Sequence, residues 1–349
     1  MICANCDSPI NPTVTGRFIV PCSKCGASMH KECAFQCVKC GKFLCDSCAI
    51  TQKYLCDECY ELKTIKMEYI SATMFEAYEK CPYAFKHEHV LNTFTEAERE
   101  NKYSALGTLL HSLFDKYSKI RPLNLEKRRA IEDEYDKGFD AINVKLFDSM
   151  PDMNDFRQRG LITMNNWFVE EIERPVPLHT EKEHFFEVPG IDIPIRATID
   201  RINGTGDDSS EWEVEDYKTG KVYSSDMLRH NFQLPIYALA IREVYGKPPK
   251  SLRLRFPQHK DKTGTIQQRI FERVTDDIYV CNVRRGGTYS FSINERIGKM
   301  IEIYNKIKHD SFPLNTSNQH FCDNFCVLAK RGMCDGLSTK WQIANQRGY

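Results

Sequence analysis

Glu213-Val214-Glu215-Asp216-Tyr217-Lys218-Thr219-Gly220 decides how the chain is read. The run alternates like a strand and stops at a Thr-Gly turn. Side chains at i and i+2 of a strand share a face, so Asp216 and Lys218 project together. That pairing suits phosphodiester chemistry, with a carboxylate to hold a divalent cation and an ammonium beside it to orient or activate water. Upstream, Ile195-Arg196-Ala197-Thr198-Ile199-Asp200-Arg201-Ile202 is a second alternating strand. Arg201-Ile202-Asn203-Gly204 follows Asp200, so this strand is expected to run past the carboxylate. A buried carboxylate in a strand needs a partner, which a metal or Lys218 would supply. Downstream, Gln233 and Tyr237 sit i, i+4 on one helix face. A lone acidic-x-Lys triplet is common as a surface ion pair, and the weight lies in the ordered set.

Farther out, a helix is expected over about 102–119, with Leu106, Leu109, Leu110, Leu113, Phe114 and Tyr117 as its apolar stripe. His111 lies at the edge of that stripe, one turn after Gly107, whose missing side chain leaves room for a ligand above the imidazole. Another helix is expected from Ser71, with Thr73 and Glu76 as a capping box, running into Cys81-Pro82-Tyr83-Ala84-Phe85. Further helices are expected over about 125–147 and 161–172, strands over 183–218, and a helix over 225–245. Strands over 251–256 and 266–273 come next, then a long helical C-terminal region holding Cys281. Helices, a central strand block and more helices make an α/β core. There is no Gly-x-x-x-x-Gly-Lys-Ser/Thr loop, hence no recognisable ATP motor.

Lys and Arg (48) balance Asp and Glu (48), so no global field advertises nucleic acid and any such contact must be local. Basic residues do gather at Lys250, Arg253, Arg255, Lys260 and Lys262, and again at Arg284-Arg285, Lys330-Arg331 and Arg347. Most of the 16 cysteines fall before residue 60. They pair as Cys3/Cys6, Cys22/Cys25, His30/Cys33, Cys37/Cys40, Cys45/Cys48 and Cys56/Cys59, enough for about three tetrahedral zinc ions. Thiol pairs of this kind suit metal in a reducing compartment better than disulfides. Residues 1–62 are too few for a good core and must be held by that metal, with a larger domain over 63–349. The expectation is an intracellular, cytoplasmic protein with no membrane span and no secretory signal.

The set His111, Asp200, Asp216/Lys218 and Gln233/Tyr237 resembles the RecB-like branch of the PD-(D/E)xK nuclease superfamily, which includes the AddB and CRISPR-adaptation nucleases. The resemblance spans about residues 71–335 and implies a restriction-endonuclease-like core, a central mixed sheet flanked by helices. It implies Mg²⁺ or Mn²⁺ on His111, Asp200, Asp216 and the backbone carbonyl of Tyr217. Lys218 would orient water, and Gln233 and Tyr237 would position the strand. The implied activity is DNA exonuclease, on single strands or DNA ends, in recombination, repair or phage DNA processing in a bacterial or phage-infected cell. Cys81, in a Cys-Pro-x-x-Phe context, with Cys322, Cys326 and Cys334 looks like the [4Fe–4S] staple of those nucleases, though the late cysteines are spaced more loosely.

In the N-terminal segment, Cys37 to Cys48 with Cys56 and Cys59 resembles FYVE-type fingers. Cys22 to Cys40, with His30 and Cys33 inside, looks more like a RING or PHD cross-brace. Both place Cys3, Cys6, His30 and Cys33 around one ion. The basic cluster that FYVE domains use for lipid is missing, since Ala34-Phe35-Gln36 precedes Cys37. Such a module would dock DNA ends, a helicase, or a replication or recombination protein. The competing reading is a recruiting scaffold with an inactive core, and an intact Asp216/Lys218 pair speaks against it.

Overall fold

The computed structural model describes residues 2–4, 19–31, 33–37, 41–45, 47–48, 67–283, 287–315 and 317–334. Cys6, Cys40, Cys56, Cys59, the Arg284-Arg285 cluster and Arg347 lie outside the described residues. The chain divides into two compact units, Met1–Glu68 with Pro82–Thr95 and Leu314–Tyr349, and Tyr69–Cys81 with Glu96–Pro313.

In the first unit, β1 (Ile19–Pro21) pairs with β2 (Ser28–His30), and β3 (Phe35–Gln36) with β4 (Phe43–Leu44), both antiparallel. Hairpins this short are marginal without another tie. Their buried interior is largely cysteine, with Cys3, Cys22, Cys37 and Cys45 beside Met29, Leu44 and Leu91. Gly26, at φ +76, makes the tight turn that returns its amide to the Cys22 carbonyl at 2.9 Å.

The second unit is built on an eight-stranded mixed sheet. Its strands are β5 (Ile70–Ser71), β6 (His179–Val188), β7 (Ile191–Asn203), β8 (Glu213–Tyr217), β9 (Ser251–Lys260), β10 (Ile266–Arg273), β11 (Ile278–Val283) and β12 (Gly287–Ser292). The order is β12-β11-β10-β9-β8-β7, with β5 and β6 both also paired to β7. The pairs β5–β7 and β8–β9 are parallel. The helices that matter here are α1 (Ala72–Lys80), α2 (Lys102–Ser118), α3 (Leu125–Asp140), α4 (Met150–Glu171), α5 (Gln233–Tyr245) and α6 (Ile293–Lys308). This is the α/β, restriction-endonuclease-like arrangement expected, a mixed sheet flanked by helices.

Strand β8 shows how the two faces differ. Tyr217 joins the aromatic cluster of α2, α3 and α4, packing on Phe114, which itself stacks on Trp167. Asp216, one residue earlier and so on the other face, receives the hydroxyl of Tyr237 from α5. Joining the parallel strands β8 and β9 requires a crossover, and α5 provides it. It therefore starts near the C-terminal end of β8, where Lys218 lies, and ends at Gly246 in a left-handed cap with φ +91.

Several expectations are corrected. The region after residue 273 is not continuously helical, because Ile278–Val283 and Gly287–Ser292 alternate with period two and pair as a hairpin. Cys281 is accordingly a buried strand residue and not a helical one. The helix over 225–245 is two, Ser225–Arg229 and α5, because Asn231 breaks out to cap the Leu234 amide. Helix α1 lacks the Thr73/Glu76 box. Ser71 occupies the cap position, and Glu76 accepts the Phe232 amide instead.

Candidate functional site

Strands β7 and β8 pair antiparallel through Asn203↔Glu213, Ile202↔Val214 and Arg201↔Glu215. The next step of this register sets Asp200 opposite Asp216, and there the strands part. The Asp200 carboxylate fills the parting by accepting the Tyr217 amide at 2.7 Å. Like charges facing across a strand pair repel, and both carboxylates are at least nine-tenths buried. Such a position is tolerable only beside positive charge.

Two positive groups are at hand. The Lys218 Nζ lies 2.7 Å from Asp216 Oδ2, and the His111 Nδ1 lies 3.4 Å from Asp200 Oδ2. Lys218 also donates to Gln233 Oε1, Gln233 Nε2 donates to Tyr237 Oη at 2.7 Å, and Tyr237 donates to Asp216 Oδ1 at 3.2 Å. These contacts close a ring of four side chains that includes the Asp216 carboxylate. His111 touches a residue absent from the expected set, Glu181 of β6, whose Oε1 is 3.6 Å from the same Nδ1.

The pKa shifts report an electrostatic imbalance. Burial pushes Asp216 up to about 6, with Asp200 adding to the shift and Lys218 opposing it. Burial disfavours the imidazolium of His111, yet Asp200, then Glu181 and Asp216, carry it up to about 10. Burial likewise opposes the Lys218 charge, but Asp216 outweighs it and holds the amine above its usual range. In each case a proton is retained where negative charge is in excess. Asp216 Oδ2 is buried and, although near Nζ, lies out of line for a hydrogen bond. The donors of His111, Glu181 and Asp200 lie within 4.8 Å of one another. One imidazole and several carboxylates fit a hard or borderline divalent ion such as Mg²⁺ or Mn²⁺.

Behind the site, on the Tyr217 face, lies a buried ion network that the sequence reading missed. Arg174 Nη2 grips both oxygens of Glu215 at 2.6 Å. Arg201 and Arg121 meet Glu171 at 2.7 and 2.8 Å, and Arg255 pairs with Glu170.

In the smaller unit, Cys22, Cys25, Cys45 and Cys48 bring their sulfurs within 4.8 Å of one another, and the ligand atoms of Cys3, His30 and Cys33 converge likewise. Burial resists ionising Cys22, but the amides of Cys25, Cys45 and Lys24 bring its thiol down to about 6. Hydrogen bonds with the Cys45 and Cys25 sulfurs hold Cys48 up to about 12. Four converging thiols cannot all ionise without a cation among them, and all-sulfur tetrahedral coordination fits zinc. Cys37 is buried nearby. Cys322, Cys326 and Cys334 belong to the smaller unit, and Cys81, the residue closing α1, to the larger.

Comparison with known proteins adds one finding. The family model described as the PD-(D/E)XK nuclease superfamily matches residues 69–329, well over half of the chain. No curated protein matches the chain.

Proposed function

We propose that this chain, which belongs to the PD-(D/E)XK nuclease superfamily, is a Mg²⁺- or Mn²⁺-dependent deoxyribonuclease of the RecB-like branch. Members of the superfamily are nucleases that use divalent metals. The finer reading is an exonuclease acting on single-stranded DNA or DNA ends, in recombination, repair or phage DNA processing. The observation that supports it best is the parting of β7 and β8, which faces Asp200 with Asp216 between Lys218 and His111.

Asp200, Asp216, His111 and the Tyr217 carbonyl would hold the cation. When bound, it polarises the scissile phosphate and lowers the pKa of a water. Lys218, kept protonated by Asp216, is a donor and not a base, so its part is to orient the attacking water and stabilise developing negative charge. Gln233 fixes Lys218 from the other side, and Tyr237 fixes Asp216, so neither charged group must reorganise during the reaction. The ring of Tyr223, its centroid 6.0 Å from Nζ, adds an aromatic face beside the amine.

The smaller unit would carry about three zinc ions and dock DNA ends, a helicase, or a replication or recombination protein. Cys81, Cys322, Cys326 and Cys334 would hold a [4Fe–4S] cluster. Brown protein with a visible absorbance band supports the cluster, and colourless anaerobic protein containing zinc without iron excludes it. Among the described residues no helix is long and apolar enough to cross a membrane.

End-labelled linear and circular single-stranded DNA, incubated with purified protein in Mg²⁺ or Mn²⁺, tests the reading. Linear DNA should be degraded and circles should persist. Asp216→Ala and Lys218→Ala should each abolish cleavage with the fold intact. Near-normal cleavage by either variant defeats the mechanism, and efficient cutting of circles defeats the exonuclease assignment. An inactive scaffold would cut neither substrate.

A further inference from the structure

We propose that Glu181 is a further ligand of the site's divalent cation, delivered by a break in strand β6. The inference rests on the metal-dependent reading above. On β6 and β7, Thr180 pairs with Arg201 and Lys182 with Ile199. Glu181 therefore falls at the level of Asp200, which in turn falls at the level of Asp216. Three adjacent strands thus present a carboxylate at one height, and His111 lies between the first two.

The local backbone is unusual at this residue. Glu181 has φ +45, the left-handed region, inside a strand. Few residues other than glycine adopt it, and it costs free energy that surrounding structure must supply. The supply is visible next door, where Thr180 Oγ1 donates to Asp115 Oδ1 at 2.5 Å. Asp115 lies one turn beyond His111 on α2, so one helix both supplies the imidazole and anchors the strand that bears Glu181. Lys119 in turn holds Asp115 at 2.6 Å.

A glutamate serving only as a solvated edge residue would have no reason to sit here. Nδ1 of His111 is 3.6 Å from Glu181 and 3.4 Å from Asp200, and all three donors fall within 4.8 Å of one another. The Glu181 side chain is 35% exposed, so its carboxylate reaches the site from the solvent side while Asp200 approaches from within the sheet. A cation between them would relieve their mutual repulsion and add an oxygen donor to the imidazole.

The test is Mn²⁺ binding to the full chain, read as loss of the free-ion EPR signal, alongside the Mn²⁺ dependence of cleavage. Glu181→Gln should weaken Mn²⁺ binding and raise the Mn²⁺ needed for half-maximal cleavage, each tenfold or more, with circular dichroism and Tm retained. Glu181→Gly should show the same loss with an equal or higher Tm, because glycine adopts positive φ freely. Asp200→Asn is the control that marks binding at this cluster. Binding and half-maximal Mn²⁺ within twofold of wild type in both Glu181 variants would overturn the inference and leave the nuclease reading standing. Mn²⁺ binding by wild type that Glu181→Gln removes, without any DNA cleavage by wild type, would uphold the ligand and sink the nuclease.

Discussion

Adjacent acids on β8 should respond very unequally to neutralisation. Glu215 is fully buried, gripped through both oxygens by Arg174, with an Arg255 nitrogen at 3.7 Å. Glu215→Gln leaves buried Arg174 with only the longer 3.4 Å contact to Glu171, which Arg121 and Arg201 already share, and removing one partner of such a pair costs about 3–5 kcal/mol. For a unit of this size that lowers Tm by on the order of 10 °C. For Asp216→Asn the pKa shift has the opposite sign to that of Glu215. Burial and Asp200 hold the Asp216 pKa at about 6, above its usual value, so its charge at pH 7 works against the metal-free fold. Asparagine keeps an oxygen for Tyr237 and removes the repulsion, while Lys218, 19% exposed, keeps Gln233 and solvent. The net change should be within about 1 kcal/mol of zero, with cleavage abolished. Urea denaturation followed by circular dichroism, without added divalent metal, measures both. Equal losses in the two variants, or a Glu215→Gln loss below about 1 kcal/mol, would refute the assignment of one face to support and the other to chemistry.

Gly160→Ala should destabilise the α2–α3–α4 layer by about 3 kcal/mol, because its Cβ would stand 2.0 Å from the Tyr135 hydroxyl and displace that group from the Arg157 carbonyl; a melting curve checks it. Cys22→Ser and Cys45→Ser should each release one equivalent of zinc, counted by elemental analysis, and unchanged zinc would remove the four-sulfur site. His87 is buried beside Lys86 and Arg331, with Thr93 and Tyr83 against its ring, and burial first, then those two cations, bring its pKa down to about 4. Its neutral form thus stabilises the fold fully above the unfolded value near 6.5 and progressively less as pH falls toward 4, by up to about 3 kcal/mol. Melting across that interval should be flatter for His87→Leu than for wild type.

What could be read from sequence was what a local period or spacing encodes. Asp216 and Lys218 declare themselves through strand alternation, Asp200 through the strand that continues past it, and α2 through its apolar stripe. β11 and β12 escaped because each alternates for only six residues before the strong helical periodicity of α6. Glu181 escaped for a different reason. His179-Thr180-Glu181-Lys182-Glu183 reads as a solvated charged edge, and neither its positive φ nor its level beside Asp200 exists until β6 pairs with β7. Glu171, Arg174, Arg201 and Glu215 look equally ordinary as a sequence, and only folding takes them out of water.

The buried network does more than hold charge. Glu215 and Asp216 are both acids, so a one-residue slip of β8 would exchange them between the faces while leaving the charge pattern almost unchanged. Apolar patterning discriminates weakly here, since Val214 and Tyr217 are the strand's apolar residues and lie on opposite faces. Buried ion pairs add little net stability, but they can fix register. Arg174 takes both oxygens of Glu215, and Arg201 stands directly opposite it and binds Glu171. A carboxylate one position away could not satisfy that geometry. The register of β8 is therefore set from the face remote from the site, and Asp216 meets Asp200 because Glu215 is already held. It follows that Glu215→Gln should weaken cleavage as well as stability, although Glu215 touches none of the groups that would meet DNA.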